Sequence, residues 1–319
     1  MRRRQILPFF AGLTVAPAAF AWPDQPVRII VPFTPAGGPD MIARYVAERL
    51  PARLGQPVVV ENNPGASGNI GSQIVARAKP DGTTLMSSVN TLVMNASLYA
   101  NLPYDPVADF APISLSAWGT LVLVAHPGQT STTLAALIAE AKAAPRKITY
   151  GSPGVGTPHH LAMALIETTA GIELVHVPYK GAAGALQDIL GGQIGYTFQP
   201  VHVATPYIKS GKLKALAVGS ARRVPLLPDV PTLGEAGLAD IDVDMWYGFF
   251  APRGTPADVV DRLNKDIVAI LGSTEAKTAF EAQGLVPATS TPAALGEIVA
   301  RDRTRWADVV QKRGIKVAE

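Results

Sequence analysis

Apolar and polar positions follow two alternating rhythms along this chain, one of strand period and one of helix period. Residues 27–31 form a β-branched run of the kind carried by a strand covered on both faces. Residues 40–54 then place Ile42, Tyr45, Val46 and Leu50 at helical spacing. The pattern continues with a predicted strand over 58–61, a helix over 71–78 and a strand over 84–88. Such a βαβαβ opening implies a parallel sheet with right-handed crossovers.

Residues 113–125 read as one long extended segment that carries the chain into a second domain. Helices are predicted over 133–143, 159–169, 183–190 and 201–210. Strands over 148–152, 174–177, 194–198 and 213–218 alternate with them. Gly171, Gly191-Gly192 and Gly211 stand where helix ends favour glycine. Residues 222–237 are rich in proline and read as a loop with a short helix. Residues 245–251 read as a returning strand. Thr255 is placed to cap a helix that opens with Pro256 and carries Asp258 at its third position. A last helix starts at Thr291-Pro292 and runs to about Lys312, before Gly314. The expected fold class is α/β, with two domains, each a mostly parallel sheet flanked by helices. Two crossings between the domains make a hinge. The expected division is 22–121 plus 246–319 for the first domain and 122–245 for the second.

The first 21 residues change the charge argument. Arg2, Arg3 and Arg4 precede an apolar run over 6–16 and the small-residue site Ala19-Phe20-Ala21. That is the layout of a signal peptide cleaved after about Ala21, which implies export to the periplasm. The run is too short to span a bilayer and is broken by Pro8 and Pro17. The arginines fit either the general or the twin-arginine export route. Three of the 28 basic residues and none of the 25 acidic ones lie in this segment. The remaining chain therefore carries 25 of each and no formal net charge, which argues against a nucleic-acid partner. The chain has no cysteine, so thiolate metal sites and thiol catalysis are excluded. Its length suffices for a core without disulfides.

Three glycine-rich loops fall at the carboxyl ends of predicted strands, where open parallel sheets bind ligands. The first holds Phe33, Thr34, Ala36, Gly37, Gly38 and Asp40, the second Ser67, and the third Ser152, Gly154, Val155, Gly156 and Thr157. Glycines let the backbone approach a ligand, and N–H groups at a helix start favour an anion. Ser88, Asn90 and Thr91 hold the equivalent place after the third strand. Tyr179 and Lys180 follow a strand of the second half, and Gln199 ends another. None of the three loops contains Arg, Lys or Glu. An anion there would rest on amides, on Thr34, Ser67, Ser152 and Thr157, and on water. About six hydrogen bonds to a charged group supply on the order of 10 kcal/mol gross, enough for micromolar binding after the cost of immobilising the ligand. The competing reading is that these glycines and prolines only shape tight turns, with Tyr179 a packing residue and Lys180 a surface one.

Enzyme signatures are missing from the sequence. Gly65-Ala66-Ser67-Gly68 is not a G-x-S-x-G elbow, and there is no phosphate-loop or H-E-x-x-H motif. His159 and His160 are adjacent on a presumed helix and point about 100° apart, a poor metal pair. Each reads as a solvated or packing residue. Asp40 reads as the cap of the first helix rather than a general base. No catalytic residue, metal or cofactor is expected.

Several stretches together carry a family resemblance. They are Pro26-Val27-Arg28-Ile29-Ile30-Val31-Pro32-Phe33 with Gly37-Gly38 and Asp40, Val60-Glu61-Asn62 with Pro64-Gly65-Ala66, and Pro80-Asp81-Gly82-Thr83-Thr84-Leu85. In the second half they are Gly151-Ser152-Pro153-Gly154-Val155-Gly156-Thr157, Val177-Pro178-Tyr179-Lys180-Gly181, Leu227-Pro228-Asp229-Val230-Pro231-Thr232, Glu235-Ala236-Gly237, and Trp246 with Ala251-Pro252. From Trp22 to the last helix the chain resembles the Bug-type solute-binding receptors of tripartite tricarboxylate transporters. The resemblance implies a periplasmic-binding-protein fold of the type II, Venus-flytrap kind. It implies a small organic carboxylate held between residues 33–38 and 152–157, partly through water, and delivery to the membrane permease subunits. A monomer is expected. Ser67 stands where a glycine is common in that family, and Gln199 where an aspartate is more frequent, which bears on the ligand's far end. Two other readings stay open: a periplasmic ligand sensor for a membrane signalling protein, and a periplasmic enzyme on the same fold. The sequence leaves dicarboxylates, tricarboxylates, amino acids and aromatic acids all open as ligands.

Overall fold

The computed structural model of the chain describes residues 22–313, apart from 239, 240 and 242. The expected signal peptide lies outside the described residues. The first half forms β1 (Val27–Val31), α1 (Gly38–Arg49), α2 (Pro51–Leu54), β2 (Val58–Asn62), α3 (Asn69–Ala76), β3 (Thr84–Val89), α4 (Thr91–Met94) and β4 (Phe110–Gly119). Next come β5 (Leu121–Ala125), α5 (Leu134–Ala143), β6 (Thr149–Ser152), α6 (Pro158–Ala170), β7 (Val175–Pro178), α7 (Ala182–Leu190), β8 (Tyr196–Pro200), α8 (Val201–Lys209) and β9 (Lys214–Val218). The chain returns through β10 (Met245–Pro252), α9 (Ala257–Leu271), α10 (Thr274–Ala282), β11 (Leu285–Pro287) and α11 (Pro292–Arg313).

These strands make two sheets, one ordered β11-β4-β10-β3-β1-β2 and the other β7-β6-β8-β5-β9. In the first, β1 runs parallel to β2 and β3, whereas β10 is antiparallel to both β3 and β4. In the second, β6 runs parallel to β7 and β8, and β5 is antiparallel to β8 and β9. Four strands of each sheet therefore point one way, and the opposing strand between the third and fourth of them is the one that arrives from the other lobe. The two lobes repeat one topology, as the strand–helix rhythm of the halves implies.

The core follows from the apolar runs. Every residue of β10 is buried, which suits a strand in mid-sheet with both faces covered. Trp246 on this strand is fully buried, and its indole Nε1 donates to Asp302 on α11 at 2.7 Å. That bond satisfies the one polar atom of a large apolar side chain and ties the last helix to the first lobe. Helix α5 shows the local rules plainly. Thr133 is its N-cap, with Oγ1 accepting from the Ala136 N–H at 3.1 Å. Thr133→Ala should lower stability by about 1 kcal/mol without changing the denaturant slope, measured by urea unfolding.

Four local expectations change. Residues 113–125 are two strands, broken at Thr120, because each belongs to a different sheet. The Thr120 carbonyl accepts from Val201 N–H at 3.0 Å, and its hydroxyl donates to Asp244 Oδ1 at 2.9 Å, so the two crossings are bonded side by side. Residues 222–237 make turns and no helix, with a single bridge from Val218 to Thr232. Thr255 does not cap α9: its hydroxyl donates back to the Pro252 carbonyl at 2.8 Å, and Pro256 takes the cap position without a side-chain acceptor. Asp40 is not the N-cap of α1 either; Gly37 is, and Asp40 lies inside the first turn.

Candidate functional site

Residues 33–38 leave β1 and turn into α1 under the control of one polar cluster. Ala36 has φ 66°, a left-handed conformation uncommon for alanine. The Asp40 carboxylate accepts from the Ala36 N–H at 2.9 Å, from Arg44 Nε at 3.0 Å and from Asn62 Nδ2 at 2.9 Å. Asn62 Nδ2 also donates to the Phe33 carbonyl at 3.0 Å, and Ser87 Oγ donates to the Pro39 carbonyl at 2.9 Å. Burial by itself would raise the Asp40 pKa, but Arg44, the Ala36 amide and Asn62 outweigh it and hold the carboxyl below its ordinary range. Gly38 is sterically required, since a Cβ there would lie 2.6 Å from the Tyr247 ring. At Gly37 a Cβ would meet nothing closer than 3.7 Å.

The third loop is held from beneath by stacked rings. His176 stacks on Tyr150 at 4.8 Å and on His160 at 4.3 Å between centroids. Ser152 Oγ lies 2.7 Å from His176 Nε2, and the Gly156 N–H donates to His160 Nδ1 at 3.1 Å. Burial lowers the pKa of His176 to about 4, and burial with the neighbouring His176 lowers that of His160 to about 3. The stack is therefore uncharged at neutral pH, and Ser152 is spent on loop geometry.

The lobes meet across the cleft through these loops. Ser67, itself left-handed at φ 54°, donates its hydroxyl to the Val155 carbonyl. Tyr99 OH donates to Ser67 Oγ at 3.2 Å. A Cβ on Gly154 would come within 2.9 Å of Ser67 Oγ, one on Gly156 within 2.8 Å of Leu98, and one on Gly181 within 2.6 Å of Thr34 Oγ1.

Two cavities lie between the lobes. The inner one, about 60 Å³, is bordered by Phe33, Thr34, Gly37 and Gly38 of the first lobe and by Thr157, Pro158, His159, Gly181 and Ala182 of the second. Val89, Thr91, Met245 and Tyr247 close its hinge side, with Pro200. The outer one, about 270 Å³, is bordered by Gly65 to Gly68 and Tyr99 against Gly154, Val155, Tyr179 and Lys180. Phe33, Pro153 and Gly181 border both. Helices α1, α6 and α7 start at the inner cavity. Helix geometry leaves their first-turn N–H groups without intrahelical acceptors, and their dipoles favour negative charge.

Of the residues singled out from sequence, Phe33, Thr34, Gly37, Gly38, Thr91 and Thr157 border the inner cavity. Phe33, Ser67, Gly154, Val155, Tyr179 and Lys180 border the outer one. Ala36, Ser88, Asn90, Ser152, Gly156 and Gln199 border neither. Asn90 donates instead to the Asp244 carbonyl at 3.2 Å, and the Tyr179 hydroxyl donates to Asp188 at 2.5 Å. Gln199 is fully buried; its Nε2 reaches Thr197 Oγ1 at 3.4 Å.

Beside Thr91, which the sequence does single out, the inner cavity has wall residues that it does not. His159, read above as solvated or packing, is 8% exposed on the cavity wall, and neither ring nitrogen has a hydrogen-bond partner among the described residues. Burial lowers its pKa to about 3, so the ring is neutral. Thr91 is 1% exposed, and its hydroxyl is likewise unpartnered among the described residues. No group of three or more His, Asp or Glu able to hold a metal occurs among the described residues.

A family model described as the tripartite tricarboxylate transporter family receptor matches residues 42–315. Protein BugT of Bordetella pertussis is 36% identical over 309 residues, which covers 96% of this chain and 95% of that protein. The structure of the periplasmic binding protein BugD is 36% identical with a TM-score of 0.88, covering 92% of this chain and 99% of its own. MatC from Rhodopseudomonas palustris, solved with bound malate, is 31% identical with a TM-score of 0.85, covering 91% of this chain and 100% of its own.

Proposed function

Because the chain belongs to the tripartite tricarboxylate transporter receptor family, we propose that it is an extracytoplasmic receptor that closes on a small organic carboxylate and delivers it to the membrane subunits of such a transporter. The observation that carries this reading is the meeting of three helix N-termini, from both lobes, at one cavity between them. First-turn amides of α1 on one side and of α6 and α7 on the other supply donors to an anion, and a carboxylate between them links the lobes. The Asp40 cluster fixes the donors of the first lobe, and the histidine stack fixes those of the second.

The glycines at 154, 156 and 181 let the lobes approach closely enough for both sets of amides to reach one group. The sites on each lobe are incomplete alone, so ligand binding and closure are one event. MatC carries malate, and a carboxylate at the corresponding depth in this cleft accounts for the lack of any basic side chain on the inner wall. The mature protein acts in the periplasm as a monomer. It binds and releases without chemistry: within the inner wall the titratable side chains are His159 and Tyr247, and burial raises the Tyr247 pKa far above neutrality.

A thermal-shift screen of small organic acids tests this. A ligand at 100 times its Kd should add about 2.7 kcal/mol of stability. Small-angle scattering should show compaction with the same acid, and a strain lacking the gene should lose its uptake. A panel of acids without any stabilising member, or uptake undiminished by the deletion, would overturn the proposal.

A further inference from the structure

One contact in the cleft joins lobe to lobe through protein atoms alone. Ser67 of the first lobe donates its hydroxyl to the Val155 carbonyl of the second. Each lobe presets its half of this contact. Ser67 is left-handed, at φ 54° and ψ 35°, and follows Ala66 at φ 47°. Two successive non-glycine residues in that region are costly and persist where surrounding contacts over-determine them. Those contacts are present. Asn95 Nδ2 donates to the Ser67 carbonyl at 3.0 Å and to Asn69 Oδ1 at 2.6 Å, and the Tyr104 hydroxyl donates to the same Asn69 oxygen at 2.9 Å. Asn69, Asn95 and Tyr104 are at most 5% exposed, so a sealed polar network grips the backbone of Ser67.

On the second lobe, the Val155 carbonyl shares a peptide unit with the Gly156 N–H. Such a unit is planar and trans, so its N–H and C=O point opposite ways. His160 Nδ1 accepts the N–H at 3.1 Å, which aims the carbonyl away from α6 and towards Ser67. The Gly154 carbonyl accepts from Ser152 Oγ at 3.0 Å and from Thr157 Oγ1 at 2.7 Å, which fixes the loop one residue earlier.

We infer that Ser67 and Val155 form a clasp, and that Ser67 is a positioning residue for ligand capture whose hydroxyl holds the closed form without reading the ligand. The inference rests on the carboxylate-receptor reading and names what sets the lifetime of the closed complex. A protein–protein contact made only on closure multiplies the affinity of every ligand by the same factor. It forms after the ligand has entered the open cleft, so it slows release and leaves association unchanged. Ser67 borders the outer cavity, so the rival role is contact with a ligand's distal end. That role discriminates between short and long acids, whereas the clasp does not. The Tyr99 hydroxyl lies 3.2 Å from Ser67 Oγ and 3.4 Å from the Val155 carbonyl, close enough to replace a deleted serine hydroxyl in part.

The test is calorimetry and stopped-flow binding with succinate, malate, glutarate, adipate and benzoate. Every acid that binds the wild-type protein should bind Ser67→Ala about fivefold more weakly, and Ser67→Ala/Tyr99→Phe about tenfold more weakly. Ratios between acids should be preserved, and the loss should lie in the dissociation rate. Ser67→Gly should lose as much affinity as Ser67→Ala while the ligand-free protein keeps the wild-type melting temperature, because glycine accepts the left-handed conformation. A serine that served only the fold of its loop would instead leave the affinity of a folded Ser67→Gly protein intact. Unchanged affinity in the double variant overturns the inference. So does a loss confined to the longer acids, which marks a ligand contact, or a loss carried by the association rate. Each of these leaves the receptor reading standing. Failure of the whole panel to bind wild type overturns the receptor reading, and this inference with it.

Discussion

Gly181→Ala should weaken ligand binding by about a hundredfold, or about 2.7 kcal/mol, while the ligand-free protein stays folded. Gly181 has φ 154° and ψ 169°, a region open to glycine almost alone. The strain of alanine there, about 1–3 kcal/mol, acts in every conformation and should lower the melting temperature by several degrees. The clash is another matter. The new Cβ would sit 2.6 Å from Thr34 Oγ1 and 2.8 Å from its Cγ2. Thr34 is on the opposite lobe, so this cost falls only on the closed form. Scattering should accordingly lose the compaction seen with ligand. The cause can be separated from strain by Thr34→Ala, which removes the two nearest atoms and leaves the residue-34 Cβ at 3.3 Å. The double variant should regain about tenfold of the lost affinity. Equal affinities for Gly181→Ala and the double variant would show that the contact does not govern closure.

Asp40→Ala should cost about 2 kcal/mol of stability and at least roughly tenfold in affinity. The carboxylate is 3% exposed and gathers three donors from two elements and the loop itself. Its removal leaves the Ala36 N–H without that acceptor and frees a left-handed residue beside the helix N-terminus. Arg44 can turn to solvent, which limits the loss. The sign of the pH dependence follows from the depressed folded pKa. Asp40 contributes fully above its unfolded-state pKa near 4, and that contribution fades as pH falls through the lower folded value. Urea unfolding at pH 7 and in the acid range should show wild type and Asp40→Ala converging as pH falls. A constant gap would mean that the carboxylate's charge is not what holds the loop.

Periodicity carried most of the fold. The β-branched run at 27–31, the apolar, aromatic-rich run at 245–251 and the amphipathic stretch at 40–54 are long and regular enough to read directly. Short elements were harder. Helix α10 buries only Ala276 and Phe280, and β11 has three residues, so neither leaves a pattern that sequence alone resolves. The break at Thr120 was invisible because both flanking strands are apolar; only their membership in different sheets separates them. At the site, glycine and strand-end position pointed to the loops that now border the cavities. Those signals reported where backbone comes close, and missed what borders the cavity from farther along the chain. Met245 and Tyr247 come in from the return strand. His159 reads from sequence as an ordinary helix-start residue because nothing local distinguishes a histidine facing solvent from one buried beside a cavity. Ser152, singled out for its place in a glycine loop, is engaged by His176, 24 residues away, and borders neither cavity.

The return strand β10 sits between β3 and β4 of the first sheet, and this has a consequence for the order in which the molecule can assemble. Everything needed for the second sheet lies in one stretch from Leu121 to Val218. The first sheet, by contrast, stays split in two until Met245–Pro252 has been synthesised. A growing chain can therefore complete its inserted lobe first and must hold the earlier strands open, with β3 and β4 lacking their shared neighbour, until the last quarter of the polypeptide emerges.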